Sequence, residues 1–156
     1  MVFFDSNVLV YAATGQDRRK QDIALFLFAE AVESGDGRIS LQVLREVANV
    51  LFRKSGDPAD AIRRNLAVFK ALPRVPDSED MLDRGMEIKE RHGIQFYDAL
   101  IVASAEAAGC DTLYSEDLAD GAVYGSVRVV NPFLKNRSSS SSPSPRTKPR
   151  RPKAKS

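Results

Sequence analysis

The hydrophobic pattern at the start of the chain predicts a buried strand that ends at an acid. Residues 2–4 read Val-Phe-Phe, and Asp5 follows them directly. Ser6 and Asn7 then offer caps for a helix with a new apolar pattern. The acid should therefore lie at the carboxyl edge of a sheet, where open α/β sheets bind their ligands. Alone this signal is weak, because an acid after a strand is more often a turn or cap residue than a ligand.

Helical and strand-like patterns alternate along the rest of the chain. The spacing of apolar residues predicts helices over residues 16–34, 42–54, 58–72, 79–92 and 95–108. Short apolar runs predict strands over residues 38–41, 112–115 and 127–130, with Val75 in a very short strand or in none. Short strands separated by helices favour an α/β fold in which helices flank a short parallel sheet. Because no confident strand separates the two helices between residues 57 and 91, we expect them to pair as a helical hairpin.

Two carboxylates fall on helix faces that the apolar pattern would bury. Glu46 lies three residues after Val43 and four before Val50, and Asp98 precedes Ile101 by three. A carboxylate on a buried face costs several kcal/mol unless it is paired or coordinates a cation. Ordinary explanations stay open for both: Asp98 suits a helix N-terminus, and Glu46 can keep its carboxylate in water at the edge of the buried face.

A further acid, Asp117, follows the predicted strand 112–115 and so also lies at a carboxyl edge. Its ordinary role would be a cap or turn for the residues after it. Taken together, however, the four acids come from two strand ends and two flanking helices, and they would form one cluster of hard oxygen ligands. Clustered carboxylates repel one another, and a divalent cation removes that penalty. Mg²⁺ or Mn²⁺ suits an all-oxygen set.

Charge divides the chain into two parts. Residues 1–134 contain all 21 acids but only 15 of the 23 Lys and Arg residues, so their net charge is −6. Residues 135–156 carry the other 8 basic residues and no acid, together with five consecutive serines. Such a composition cannot bury a core, which predicts a disordered basic tail. The tail could contact phosphates, fold back on the acidic part or remain a solvated extension, and Arg18, Arg19 and Lys20 could add a basic rim.

The rarity of cysteine and histidine excludes several classes of protein. Cys110 is the only cysteine and His92 the only histidine, so neither an internal disulfide nor a Cys/His zinc site can form. No apolar run approaches the ~20 residues of a membrane span, and Asp5 interrupts the N-terminus too early for a signal peptide. We expect a soluble cytoplasmic protein with no membrane partner. His92 precedes Gly93 at a predicted helix end, which favours a capping role over that of a general base.

Four segments carry a resemblance to a known family. They are VFFDSNVLVYA from Val2, SLQVLREVANVL from Ser40, QFYDALIVASAEAAG from Gln95 and TLYSEDLADG from Thr112. In this order and spacing they resemble the PIN-domain nucleases, and within them the VapC-type toxins of bacterial toxin–antitoxin pairs. The resemblance implies a three-layer, Rossmann-like PIN domain over residues 1–134. It also implies an Mg²⁺- or Mn²⁺-dependent endoribonuclease, often a homodimer inhibited by a cognate antitoxin. The tail over residues 135–156 is not part of the pattern.

The resemblance also implies roles for individual residues. The positions that match the family's acidic catalytic and metal-binding residues are Asp5, Glu46, Asp98 and Asp117. Asn7 matches the polar residue that accompanies the first acid, and Ser115 matches the hydroxyl residue two before the last. Glu116 is the alternative ligand to Asp117, which the family pattern favours.

Other functions stay open on the sequence alone. One is a non-catalytic PIN module that binds RNA, and another is a PIN nuclease that processes RNA without an antitoxin. A receiver domain is disfavoured, because Asp5 is the only acid at the first strand and Asn131-Pro132 stands where a lysine is expected. A nuclease that acts on structured DNA lacks support, since the larger size and extra motifs of that class are absent.

Overall fold

The structure is a computed structural model and describes residues 1–135 of the chain. The basic tail was predicted to be disordered, and from residue 136 onward it lies outside the described residues. Six strands are present in the described part: β1 (Val2–Phe4), β2 (Gly37–Ser40), β3 (Arg74–Val75), β4 (Thr112–Tyr114), β5 (Val123–Tyr124) and β6 (Val127–Val130). Six helices connect them: α1 (Ser6–Ala13), α2 (Arg18–Ser34), α3 (Leu41–Ser55), α4 (Ala59–Phe69), α5 (Glu79–His92) and α6 (Phe96–Ala107).

The strands form one sheet in the order β3-β2-β1-β4-β6-β5. Neighbouring strands are parallel except β5 and β6, which are antiparallel. The central strand β1 pairs with β2 through Val2 and Gly37, and with β4 through Phe4 and Tyr114. Phe3 and Phe4 point to opposite faces of the sheet and both are fully buried, so both faces are covered. The predicted α/β fold with a short, mostly parallel sheet is confirmed.

The helices place several chain segments at the carboxyl edge of the sheet. Helix α1 packs against α2 and α3, while α6 packs against α5 and contacts β2, β4 and β6. Helices α1 and α3 begin directly after β1 and β2, so their first turns lie at that edge. No helix within residues 1–135 is both long and apolar enough to cross a membrane.

The helical hairpin predicted between residues 57 and 91 is wrong. Helix α4 packs against α3, and α5 packs against α6. Between α4 and α5, Arg74 and Val75 form β3 and extend the sheet beside Ile39 and Ser40. A strand of two residues is too short for an alternating pattern to show, which is why the sequence suggested two neighbouring helices.

The remaining differences concern element ends. Helix α5 and strand β6 have the predicted bounds, whereas α4 ends at Phe69, three residues before the predicted end. Leu72 is buried although it lies beyond the helix, in the turn that leads to β3. Its apolar side chain therefore extended the helical pattern. The two-residue strand β5 was not predicted, because it forms only by pairing back onto β6.

Candidate active site at the carboxyl edge of the sheet

Asp5 occupies the junction between β1 and α1. Its backbone N–H donates to the carbonyl oxygen of Tyr114 at 3.0 Å, which continues the pairing of β1 with β4. The residue is 3% exposed, and its Oδ1 accepts a hydrogen bond from the backbone N–H of Ser6 at 2.7 Å. Asp5 is therefore itself the N-cap of α1, and the expectation that Ser6 or Asn7 caps this helix is wrong. Strand and helix are joined without a loop, so the first residue after the strand is the cap.

Neutral donors hold the other oxygen of the Asp5 carboxylate. Oδ2 accepts a hydrogen bond from Ser115 Oγ at 2.8 Å and another from Asn7 Nδ2 at 3.2 Å. Ser115 is fully buried, and its Oγ also accepts the backbone N–H of Asp117 at 3.2 Å. The structure thus brings Asn7 and Ser115, the predicted polar companions, into direct contact with Asp5.

Glu46 reaches the same edge from α3, whose first turn is capped by the side chain of Ser40. Glu46 is half-buried. Its Oε2 accepts a hydrogen bond from Ser6 Oγ at 2.6 Å, and its Oε1 accepts one from Gln42 Nε2 at 2.8 Å. The same Ser6 hydroxyl lies 3.5 Å from Asp5 Oδ1. Ser6 therefore stands between the two carboxylates.

Asp117 and Asp98 bring two more acids to this edge. Asp117 follows β4 and is exposed, and its Oδ2 accepts a hydrogen bond from Asn7 Nδ2 at 3.1 Å. Asp98 lies in the first turn of α6 and is half-buried. Its carboxylate forms no hydrogen bond or ion pair with any of residues 1–135. Asp98 is close enough to Asp117 and Glu46 for their charges to act on its ionisation.

The environment of these acids disfavours their charged forms. The pKa of Asp5 is raised from 3.8 to about 6, first of all by burial, while hydrogen bonds from Ser115 and Ser6 oppose the rise. The negative charges of Glu46 and Asp117 contribute the smaller part of this rise. The pKa of Asp98 is also raised, first by burial and then by Asp117 and Glu46. Each of these causes penalises a carboxylate that lacks a cation.

The donor chemistry fits a hard divalent cation, but the side chains are not yet gathered around one point. Within the part of the chain that the structure describes, no group of three or more His, Cys, Asp and Glu side chains is arranged to hold a metal ion. The Ser6 hydroxyl and the Asn7 amide stand between the carboxylates instead. All four acids offer oxygen ligands of the kind that Mg²⁺ and Mn²⁺ prefer. A cation would therefore draw the carboxylates inward in place of these neutral donors.

Glu116, the alternative ligand, points elsewhere. Its carboxylate forms an ion pair with Lys20 Nζ, which also donates to the hydroxyl of Tyr11 at 3.1 Å. The hydrogen bond to Glu116 is the main cause of the raised pKa of Lys20. The backbone N–H of Glu116 donates to Asn7 Oδ1 at 3.1 Å. Glu116 thus orients Asn7 through its backbone while its side chain is held by Lys20.

The suggested basic rim is largely engaged within the protein. Lys20 binds Glu116, and Arg18 Nε lies 3.5 Å from a carboxylate oxygen of Asp22. Arg19 Nη2 donates to the carbonyl oxygen of Phe133 at 2.9 Å. Lys20 and Arg19 therefore attach α2 to other segments, whereas the exposed Arg18–Asp22 pair lies within α2 itself.

Three residues of the site were missed by sequence reasoning: Ser6, Gln42 and Lys20. Gln42 carried a usable signal, because it precedes Glu46 by four residues on a helix and so lies on the same face. Ser6 had been considered only as a cap. Lys20 carried no such signal, since its partner Glu116 lies 96 residues away.

His92 has a structural environment. It is the last residue of α5, and its ring packs edge to face on Tyr124 with centroids 5.0 Å apart. Glycine at position 93 caps the helix with φ at 68°. That His92 is no general base stays a prediction.

Three solved structures share this architecture at identities of 18% to 22%. VapC20 of Mycobacterium tuberculosis, a toxin that cleaves the sarcin–ricin loop, is 22% identical with a TM-score of 0.62, over 74% of this chain and 88% of that one. A toxin–antitoxin complex from Klebsiella pneumoniae gives 20% identity and a TM-score of 0.62, over 85% and 98% of the two chains. VapBC2 from Rickettsia felis, bound to a promoter DNA fragment, is 18% identical with a TM-score of 0.59, over 83% of this chain and 97% of that one.

Sequence comparison identifies the family. No curated protein sequence matches the chain, but the family model of the PIN domain matches residues 2–119. This span contains both strand ends and both helices that carry the four acids. The solved structures agree with it in fold, and the resemblance seen in the sequence is confirmed at the level of the family. The chain belongs to the PIN-domain family.

Proposed function

We propose that this chain is a divalent-metal-dependent endoribonuclease, and that it is the toxin of a toxin–antitoxin pair. One observation carries the proposal: four acids meet at one edge of the sheet, and none of them forms an ion pair within residues 1–135. A fold that keeps a carboxylate 3% exposed without a cationic partner bears a cost at neutral pH, and a bound cation would remove that cost. Membership of the PIN-domain family supports a nuclease.

Asp5, Glu46 and Asp98 would hold the Mg²⁺ or Mn²⁺ ion, and Asp117 would complete the set or serve a second ion. When bound, such an ion would supply Lewis acidity for phosphodiester hydrolysis by water. Ser115 and Asn7 keep the Asp5 carboxylate in a fixed orientation, and Ser6 does the same for Glu46. Because this hydrolysis needs no 2′-hydroxyl nucleophile, we expect products with 5′-phosphate and 3′-hydroxyl ends.

The partners follow from the same proposal. The structural neighbours include toxin–antitoxin complexes, which supports a cognate antitoxin for this chain. We further propose a homodimer, and a basic tail that adds sequence-independent contacts to RNA phosphates. The PIN domain would span residues 1–134.

A non-catalytic RNA-binding module is the second candidate. It is favoured by one observation, namely that the described carboxylates are separated by neutral donors and not gathered into a metal-ligand group. An RNA-processing PIN nuclease without an antitoxin would share the chemistry and differ only in its partner.

The proposal is tested by incubating the purified full chain with a pool of structured RNAs, with Mg²⁺ or Mn²⁺ and separately with EDTA. Cleavage that needs the metal and is lost in Asp5→Asn is expected. Asp60→Asn is the matched control, because Asp60 is exposed on α4 and pairs with Arg63. That variant should cut like the wild type. If well-folded wild type free of any co-purified inhibitor leaves the RNA intact, the binding module becomes the better account.

A further inference from the structure

A cavity of about 210 Å³ lies beside the acids, between α3, α5 and α6. Gln42 connects it to the site. Its Nε2 donates to Glu46 Oε1 at 2.8 Å and to the carbonyl oxygen of Tyr97 at 3.1 Å, and both Gln42 and Tyr97 line the cavity. Tyr97 also directly precedes Asp98. The cavity therefore adjoins the edge that carries the acids, with Gln42 between the two.

Tyr97 is the most exposed large apolar side chain among residues 1–135, at 66%. The Phe96 ring lies beside it at 5.7 Å between centroids, and most of the tyrosine ring faces solvent. Single exposed aromatic residues are ordinary on protein surfaces. This ring differs in that it borders a cavity and adjoins a candidate catalytic acid. The cavity also contains Met81 and Leu100, which give it an apolar part.

Arg45 supplies the positive charge in this cavity. Its Nη1 lies 4.0 Å from Asp77 Oδ2. The Arg45 side chain is 68% exposed and the Asp77 side chain is 56% exposed. An ion pair this long and this exposed contributes little to stability. The guanidinium can therefore exchange Asp77 for a phosphate without a large penalty.

We propose that this cavity is the subsite for an unpaired nucleobase of the RNA substrate, which stacks on Tyr97 while Arg45 contacts an adjacent phosphate. The inference rests on the proposed function and names its substrate class as single-stranded RNA. Unstacked bases are free to lie on aromatic side chains, whereas paired bases are not. The subsite also explains how an acidic domain binds a polyanion beside its own carboxylates. The binding free energy would come from base stacking on Tyr97 and from the contact of one cation, Arg45, with a phosphate.

The test measures binding of a labelled single-stranded RNA decamer to full-length protein in the Asp5→Asn background, which separates binding from cleavage. Tyr97→Ala should weaken binding roughly 5- to 100-fold, as expected for the loss of one base–aromatic stack. Tyr97→Phe should bind like its parent, because the ring is kept. Arg45→Ala should lower the salt dependence of binding by about one phosphate contact. The same decamer annealed to its complement should bind weakly and show no dependence on Tyr97.

Phe52→Ala is the matched control, since Phe52 is 54% exposed on α3 and does not line the cavity. It should leave binding unchanged. Equal binding by Tyr97→Ala and its parent would overturn the inference, as would equal losses for single-stranded and duplex RNA. A change in oligomeric state of Tyr97→Ala, seen by light scattering, would also overturn it and would make the cavity a protein contact. Metal-dependent cleavage by the wild type is judged separately, so the subsite can fail while the nuclease stands.

Discussion

Two regions of the molecule bury carboxylates in opposite ways. Between α5 and α6, Glu106 receives two hydrogen bonds from Arg84, one from Nε at 2.8 Å and one from Nη2 at 3.1 Å. The backbone N–H of Ser126 adds a third. The Arg84 hydrogen bonds lower the pKa of Glu106. At the sheet edge, Asp5 is more deeply buried but is held by neutral donors only, and its pKa rises to about 6.

The comparison teaches how to separate structural from functional acids in one fold. Glu106 is paired with a cation, so its charge fastens α6 to α5 and to the turn before β6. Asp5 and Asp98 keep their desolvation penalty and form no ion pair among residues 1–135. Such an uncompensated penalty is typical of functional sites, which agrees with the proposed cation site. The predictions below test the contrast, from the largest expected effect to the smallest.

Asp5→Asn should have the largest effect on activity and little effect on stability. Cleavage should fall by at least ~10³-fold, as for the loss of a residue in a catalytic unit. Removal of the buried charge stabilises the fold. The new amide, however, has one acceptor oxygen fewer, so a hydrogen bond from Ser115 or Asn7 is lost at a cost of about 1–3 kcal/mol. Near neutral pH the two effects offset each other in the free energy of unfolding. Urea unfolding beside initial cleavage rates measures both, and a large loss of stability would contradict the contrast.

The pH dependence of stability should have opposite signs in the two regions. The folded-state pKa of Asp5 lies above its ordinary value, so its contribution is fully present below about pH 4 and is lost as pH rises through about 6. A shift from 3.8 to about 6 corresponds to roughly 3 kcal/mol. Glu106 behaves in reverse, since its lowered pKa gives stability above the ordinary value that is lost on acidification.

The difference in unfolding free energy between wild type and Asp5→Asn isolates the first contribution. Measured without metal, that difference should shift against the wild type by roughly 3 kcal/mol between pH 4 and pH 7.5. Excess Mn²⁺ should reduce the shift, because the cation stabilises the ionised carboxylate. A pH-independent difference would mean that Asp5 is not penalised by its burial.

Arg84→Met should weaken the fold and spare the chemistry. It leaves Glu106, whose side chain is 18% exposed, without its cation, and we expect a loss of about 1–3 kcal/mol in unfolding free energy. Cleavage per folded molecule should not change. Arg63→Met is the control, because the exposed Arg63–Asp60 pair should contribute less than ~1 kcal/mol. If Arg84→Met abolished cleavage in folded protein, the two regions would not be separable.

The fold was largely readable because its helices are long and periodic and its central strands end at clear signals. Helix α5 shows this best, since Ser78 and Gly93 mark both of its ends. The parts that were left open or missed depend on pairing with another strand. Strand β3 exists through its register with β2, and β5 through its register with β6. Two residues carry no period of their own, so the sequence left Val75 in a very short strand or in none and gave no sign of β5.

The acids of the candidate site stood out in the sequence because they lie at strand ends or on apolar helix faces, as Asp5, Glu46 and Asp98 do. The internal order of the site did not stand out in this way. The Ser6 hydroxyl binds Glu46 across 40 residues of sequence, a contact that only the folded chain creates. The choice of Asp117 over Glu116 rested on the family pattern alone and stays a prediction, and the pairing of Glu116 with Lys20 appears only in the folded chain.

Lys20→Met should have the smallest effect. It concerns both kinds of acid, because Lys20 forms an ion pair with Glu116, which directly precedes Asp117 of the acid cluster. Without Lys20, the Glu116 carboxylate is free to turn toward Asp117 and Asn7, which adds negative charge where the cation would bind. We expect a several-fold change in cleavage rate and in the Mn²⁺ concentration needed for half-maximal rate, a free-energy effect of about 1 kcal/mol. If Lys20 acts through Glu116, Lys20→Met/Glu116→Gln should behave like Glu116→Gln alone. Additive losses in the double variant, with a weaker salt dependence of RNA binding, would instead make Lys20 a direct phosphate contact.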